Sequence, residues 1–172
     1  MFKVALVGHS QVPSTFEAPE GAEVRIFRRG GLIRHFNQAP LANVYEYNPD
    51  LIILFLGSND VLDFANNWLL LVKGLRDILH DLTSVCPRVW VVTIERRKFT
   101  SDHLSLLYES CRKKINRKLR KQIRNMNVRM VNITATWFLN NLGPDGVHFN
   151  AQAKQEIKSK FRAVIHRCMA ES

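Results

Sequence analysis

A chain of 172 residues with 46% hydrophobic side chains can bury one sizeable core, and it reads as a single domain over residues 1–172. The longest apolar runs, Leu51 to Leu56 and Trp68 to Val72, fall well short of a membrane span. The stretch from Met1 to Gly8 has neither the layout nor the length of a signal peptide, so a soluble protein is expected. Lys and Arg number 25 against 15 Asp and Glu, a formal charge of +10, which suits acidic partners such as nucleic acid or an anionic membrane surface and says nothing about fold.

In chain order, Phe2 to Val7 is apolar and partly β-branched and ends at Gly8, which predicts a buried strand feeding a sharp turn. Glu23 to Phe27 alternates polar and apolar residues before Arg28-Arg29-Gly30-Gly31, the pattern of an outer strand. A helical pattern over Leu32 to Tyr47 follows. Leu51 to Leu56 is apolar throughout, as a central strand covered on both faces should be. Helical spacing then covers Val61 to Val85, a fourth strand Arg88 to Ile94, a helix Asp102 to Asn125, a fifth strand Val128 to Ile133, and a last helix Ala151 to His166. Strands alternating with helices predict an α/β domain, a five-stranded parallel sheet with helices on both faces. Ligands of such sheets bind beyond the carboxyl ends of the strands, so the loops opening at Gly8, Gly30, Gly57, Glu95 and Thr134 hold the candidates.

Gly8-His9-Ser10 follows the first strand. A Ser there is more often a helix cap than a nucleophile. Gly57-Ser58-Asn59-Asp60 follows the third strand, where Asn59 could donate to a developing oxyanion or, with Asp60, merely cap a helix from Val61. Asp145-Gly146-Val147-His148-Phe149-Asn150 precedes the last helix, with Asn150 a natural cap. Asp145 and His148 are close enough for the carboxylate to orient the imidazole of a base. Together these blocks supply a nucleophile, an oxyanion donor, an orienter and a base. No G-x-G-x-x-G fingerprint or phosphate loop follows the first strand, which argues against a nucleotide-binding domain.

In that combination the chain resembles the SGNH (GDSL-like) hydrolase family, whose members carry Gly-Asp-Ser after the first strand, a Gly after the second, Gly-x-Asn-Asp after the third and Asp-x-x-His before the last helix. The resemblance implies a three-layer αβα sandwich, a flavodoxin-like SGNH hydrolase fold. It implies a Ser10-His148-Asp145 triad, an oxyanion hole from the Ser10 and Gly31 amides (Gly30 being the neighbouring candidate) and the Asn59 side chain, no metal or organic cofactor, and hydrolysis of esters with small acyl groups such as acetyl, a lipid-derived ester being the other substrate class left open. One departure touches the nucleophile turn: the family's Asp in the first block is His9 here.

Eight of the residues from Arg112 to Arg124 are Lys or Arg, namely Arg112, Lys113, Lys114, Arg117, Lys118, Arg120, Lys121 and Arg124, while apolar residues recur at helical spacing. This predicts an amphipathic helix with a cationic outer face. Such a face is usually solvated, but with no acid inside the run it also suits nucleic acid or an anionic membrane, which leaves a catalytically weak binding module as the rival reading. Cys86, Cys111 and Cys168 have no metal-ligand spacing and read as reduced, buried thiols of an intracellular protein. Within the class, the GHS block, the Arg-Arg-Gly-Gly-Leu turn, the basic helix and the Asp-Gly-Val-His-Phe-Asn ending look most like the esterase domain of the first open-reading-frame protein of LINE retrotransposons. That likeness implies a cytoplasmic setting in ribonucleoprotein particles.

Overall fold

The alternation of strands and helices becomes one parallel sheet. The computed structural model describes residues 1–28 and 39–172, with strands β1 (Phe2–Gly8), β2 (Ala22–Arg28), β3 (Leu51–Phe55), β4 (Val89–Val92) and β5 (Val128–Val131). Their order is β2-β1-β3-β4-β5, and every pairing is parallel. As its composition requires, Leu51–Phe55 is central and wholly buried, whereas the alternating Ala22–Arg28 forms an edge.

Period-two alternation sorts the strand residues between two cores. Ala5, Val7, Ile52, Leu54, Val89 and Val91 face helices α1 (Ala39–Tyr47), α2 (Trp68–Val85) and α3 (Asp102–Ile123). Val4, Leu6, Leu51, Ile53, Phe55, Trp90 and Val92 face the short α4 (Thr136–Leu139) and the long α5 (Ala151–Ala170). The result is the three-layer αβα sandwich expected. Each fully buried Leu, Ile or Phe stabilises it by about 1.5–3 kcal/mol relative to exposure.

Several boundaries differ from the pattern. The second helix begins at Trp68 rather than Val61: Ser58–Asp60 is a 3-10 turn, and separate turns closed by Phe64 N–H on Asp60 O and Asn67 N–H on Phe64 O follow it. Neither Asn59 nor Asp60 therefore caps a helix at Val61. β4 stops at Val92 because Asn116 of α3 takes over the Ile94 backbone, accepting from its N–H at 2.8 Å and donating to its carbonyl at 3.1 Å. Thr93 Oγ1 likewise accepts the Ile133 N–H at 2.9 Å, past the end of β5. Asn150 caps α5, accepting from the Ala153 N–H at 2.9 Å. The helix expected from Leu32 is seen from Ala39 onward, and its first seven residues lie outside the described ones.

The basic helix is amphipathic as read, with one correction. Arg112 is buried, and its guanidinium grips Glu109 at 2.9 and 2.6 Å. Glu109, just ahead of the basic run, also lies 3.8 Å from Lys113. The remaining six cations are exposed and have no ion pair among the described residues. All three cysteines are buried and free. No described helix is long and apolar enough to cross a membrane.

Candidate active site

The turn after β1 exists because residue 8 is glycine. Gly8 has φ +155°, and a Cβ there would sit 1.8 Å from the Phe55 carbonyl oxygen, so the two strands approach too closely for any side chain. The chain then folds back in a single turn, closed by Val12 N–H on His9 O at 3.1 Å. Ser10 lies exposed in that turn and no helix follows it, so the capping explanation for this serine falls away.

His148 reaches the same edge from the loop before α5. Gly146, with φ +68° and a Cβ position 2.0 Å from the Lys98 carbonyl, turns this loop, and Lys98 N–H on Gly146 O at 2.8 Å pins it to the segment after β4. Asp145 Oδ1 accepts from the backbone N–H groups of Val147 and His148, both at 2.9 Å. Its Oδ2 lies 2.5 Å from His148 Nδ1, and His148 Nε2 lies 3.5 Å from Ser10 Oγ. With its proton on Nδ1, held by the carboxylate, the ring turns its Nε2 lone pair toward the serine. The His148 side chain and the two backbone donors hold the Asp145 carboxyl far below the usual carboxylate range, so it remains an anion beside the ring.

Asn59 stands in the 3-10 turn after β3. Register pairs Gly8 with Phe55, so the turns following the two strands are neighbours, and Ser58 Oγ to His9 Nε2 at 2.9 Å ties them together. Arg97 donates from one nitrogen to Ser58 Oγ at 2.8 Å and to Asn59 Oδ1 at 2.7 Å. A guanidinium can only donate, which fixes the amide's orientation and leaves Nδ2 as its free end. Gly30 and Gly31 lie outside the described residues.

His9, the departure from the family pattern, is buried against Phe55 with ring centroids 4.7 Å apart. Its Nδ1 accepts the Gln11 N–H at 3.1 Å, so its proton lies on Nε2, facing Ser58 and, at 3.4 Å, Glu95 Oε1. Burial pushes the Glu95 carboxyl upward, but His9, Arg97 and Ser58 together outweigh it and hold it below its ordinary value. Ser58, His9 and Glu95 are the residue types of a triad, but they are not arranged as one. Serine and carboxylate both address the same ring nitrogen, and all three side chains are buried. They form a support beneath the nucleophile turn, with a carboxylate supplied from the end of β4.

Three further residues join the site with little warning from the sequence. Gln11 is buried and its Nε2 donates to the Val147 carbonyl at 2.5 Å, clamping the nucleophile turn to the His148 loop. Arg28, last residue of β2, donates to the Ser10 carbonyl at 2.7 Å. Arg97, which holds Asn59, stands in the Arg96-Arg97-Lys98 run after β4, where the sequence shows only clustered positive charge.

The sequence profile of the GDSL-like lipase/acylhydrolase family matches residues 20–155, a span that takes in Gly31, Asn59, Asp145 and His148. No curated protein matches the chain in sequence. Among solved structures it is similar to an acetyl xylan esterase (TM-score 0.77, 18% identity, covering 95% of this chain and 100% of that one). It is also similar to a carbohydrate esterase family 3 protein from Talaromyces cellulolyticus (TM-score 0.71, 17% identity, both chains covered in full). A third likeness is to an acetylxylan esterase from Geobacillus stearothermophilus (TM-score 0.70, 14% identity, covering 93% and 92%). At these identities the likeness is one of fold.

Proposed function

The chain belongs to the GDSL-like lipase/acylhydrolase family, and from that premise we propose that it is a serine esterase working through Ser10, His148 and Asp145 on esters of small acyl groups. The observation that carries this reading is the line of contacts from Ser10 Oγ to His148 Nε2 and from His148 Nδ1 to Asp145. A nucleophile and an orienting carboxylate address opposite nitrogens of one ring, as general-base activation requires. The 3.5 Å separation suits a resting site, because such contacts shorten when substrate binds.

Ser10 Oγ attacks the ester carbonyl as His148 Nε2 takes its proton. The tetrahedral oxyanion is held by the Ser10 and Gly31 amides and Asn59 Nδ2. His148 returns the proton to the leaving alcohol, and water, activated by the same ring, releases the acid. The preference for acetyl over longer chains is supported by the acetyl esters named for the structural relatives.

Release of p-nitrophenol from p-nitrophenyl acetate by wild type and Ser10→Ala tests the reading. Loss of a triad nucleophile lowers kcat by roughly three or more orders of magnitude. Equal rates from two folded proteins reject it. Acetyl, butyryl and octanoyl esters compared in the same assay reject the small-acyl preference if octanoyl is fastest.

A second reading rests on Lys114, Arg117, Lys118, Arg120, Lys121 and Arg124, exposed on α3 without ion pairs among the described residues. This face suits nucleic acid, in keeping with an intracellular, RNA-associated protein of the LINE type. Binding of an RNA oligonucleotide that weakens steeply with salt supports it, and a flat salt response rejects it.

A further inference from the structure

Beside Ser10 and His148 opens a cavity of about 160 Å³ whose walls carry more charge than a neutral ester needs. Val12, Pro13 and Ile157 make its apolar part, Arg28, Lys154 and Lys158 line it as well, and no Asp or Glu is among its lining residues. Arg28 is held at the nucleophile by its bond to the Ser10 carbonyl. Lys154 and Lys158 are one helical turn apart on α5, so they share a face with Ile157 between them. Among the described residues, Lys158 Nζ reaches only Thr15 Oγ1, at 3.4 Å, and neither lysine has an ion pair. Helix stability does not account for them, since like charges four residues apart on a helix repel each other.

The cavity also has a side. His148 lines it and Asn59 does not. The ester's carbonyl oxygen faces Asn59, whereas the alkoxy oxygen must approach His148, which protonates it. What enters this cavity is therefore the alcohol part of the ester. We propose that it is a leaving-group subsite for an anionic alcohol, one that carries a carboxylate or phosphate a few atoms from the ester oxygen. The proposal rests on the esterase reading. Ser10 Oγ forms the bond to the acyl carbon, the bond to the alkoxy oxygen breaks, His148 supplies that oxygen with the proton taken from Ser10, and the alcohol departs with its anionic group unchanged.

Three aryl acetates of matched shape test it: 4-acetoxybenzoate, 4-acetoxyphenyl phosphate and the neutral 4-acetoxybenzamide. For each, kcat/KM is divided by the spontaneous hydrolysis rate. The wild type is expected to favour at least one anion over the amide by about tenfold, since a partly exposed charge pair contributes up to about fivefold. The better of the two anions identifies carboxylate or phosphate. Lys154→Gln with Lys158→Gln is expected to lower the ratio at least about threefold, Arg28 keeping the remainder, while Lys73→Gln with Arg76→Gln, which removes the same charge from α2, leaves it in place. A wild-type ratio near one, a ratio untouched by the α5 substitutions, or an equal fall with the α2 pair overturns the subsite and leaves the esterase standing. Absence of Ser10-dependent hydrolysis of all three esters overturns both.

Discussion

Replacing Arg97 with Met separates the support of the oxyanion donor from the donor itself. The Arg97 side chain is only 8% exposed, and its guanidinium anchors Asn59 through a 2.7 Å charge-assisted hydrogen bond to Oδ1. Such a bond contributes about 1.5–3 kcal/mol, so without it the amide's held orientation loses about tenfold to about a hundredfold in population. Deleting the donor outright with Asn59→Ala costs about 10²–10³ in kcat, and Arg97→Met must fall within that limit. The assay is kcat and KM on p-nitrophenyl acetate for wild type, Arg97→Met, Asn59→Ala and the double variant, each with its thermal unfolding curve. The expected result is a loss in kcat with KM little changed, and a double variant no slower than Asn59→Ala. Arg97→Lys keeps the charge but replaces the rigid, planar guanidinium by a flexible ammonium, and recovers only part of the loss. If the two losses multiply, Arg97 does not act through Asn59 and the reasoning is wrong.

Asp145→Asn removes the anion that sets the His148 tautomer, and kcat should fall by about 10⁴-fold with the fold intact; a loss under tenfold would show that His148 needs no orienter. Gly8→Ala places a Cβ 1.8 Å from a backbone oxygen, so the strand pair must separate, and destabilisation of more than about 4 kcal/mol is expected in urea unfolding. An unshifted midpoint would contradict the turn geometry. The buried Glu95 has its carboxyl held below the ordinary value of 4.5, so its ionised form stabilises the fold above that pH, and the contribution is lost as pH falls through the lower, folded-state value. Melting temperature measured from pH 6 to pH 3 should therefore fall more steeply for wild type than for Glu95→Gln, and parallel curves would remove Glu95 from the acid response.

Fold class and the order in which the strands appear were legible in the chain because each is a local signal. Period-two and period-3.6 patterns separate strands from helices, Leu51 to Leu56 announces a central strand, and Asp145 and His148 lie within one turn of each other. The blocks at Ser10 and Asn59 could be located because a parallel sheet sends all its strand ends to one edge. Element ends were less legible where a distant side chain decides them. Asn116 ends β4 by bonding Ile94 across 22 residues, and no window around Ile94 contains that information. The same holds for burial and charge. Arg112 sits in a run of eight cations yet is buried on Glu109, and a basic composition cannot say which of its members is paired.

What the sequence alone determined, then, is the set of reactive groups and the edge of the sheet at which they emerge. The tertiary structure decided how they are held. A buried carboxylate reaches His9 from Glu95, 86 residues along the chain, Gln11 fastens the serine turn to the histidine loop, Arg97 orients Asn59, and Lys154 and Lys158 line one cavity with Arg28 beside Ser10. Each of these contacts joins residues far apart in the chain, and their energies arise only after the sheet has brought its loops together.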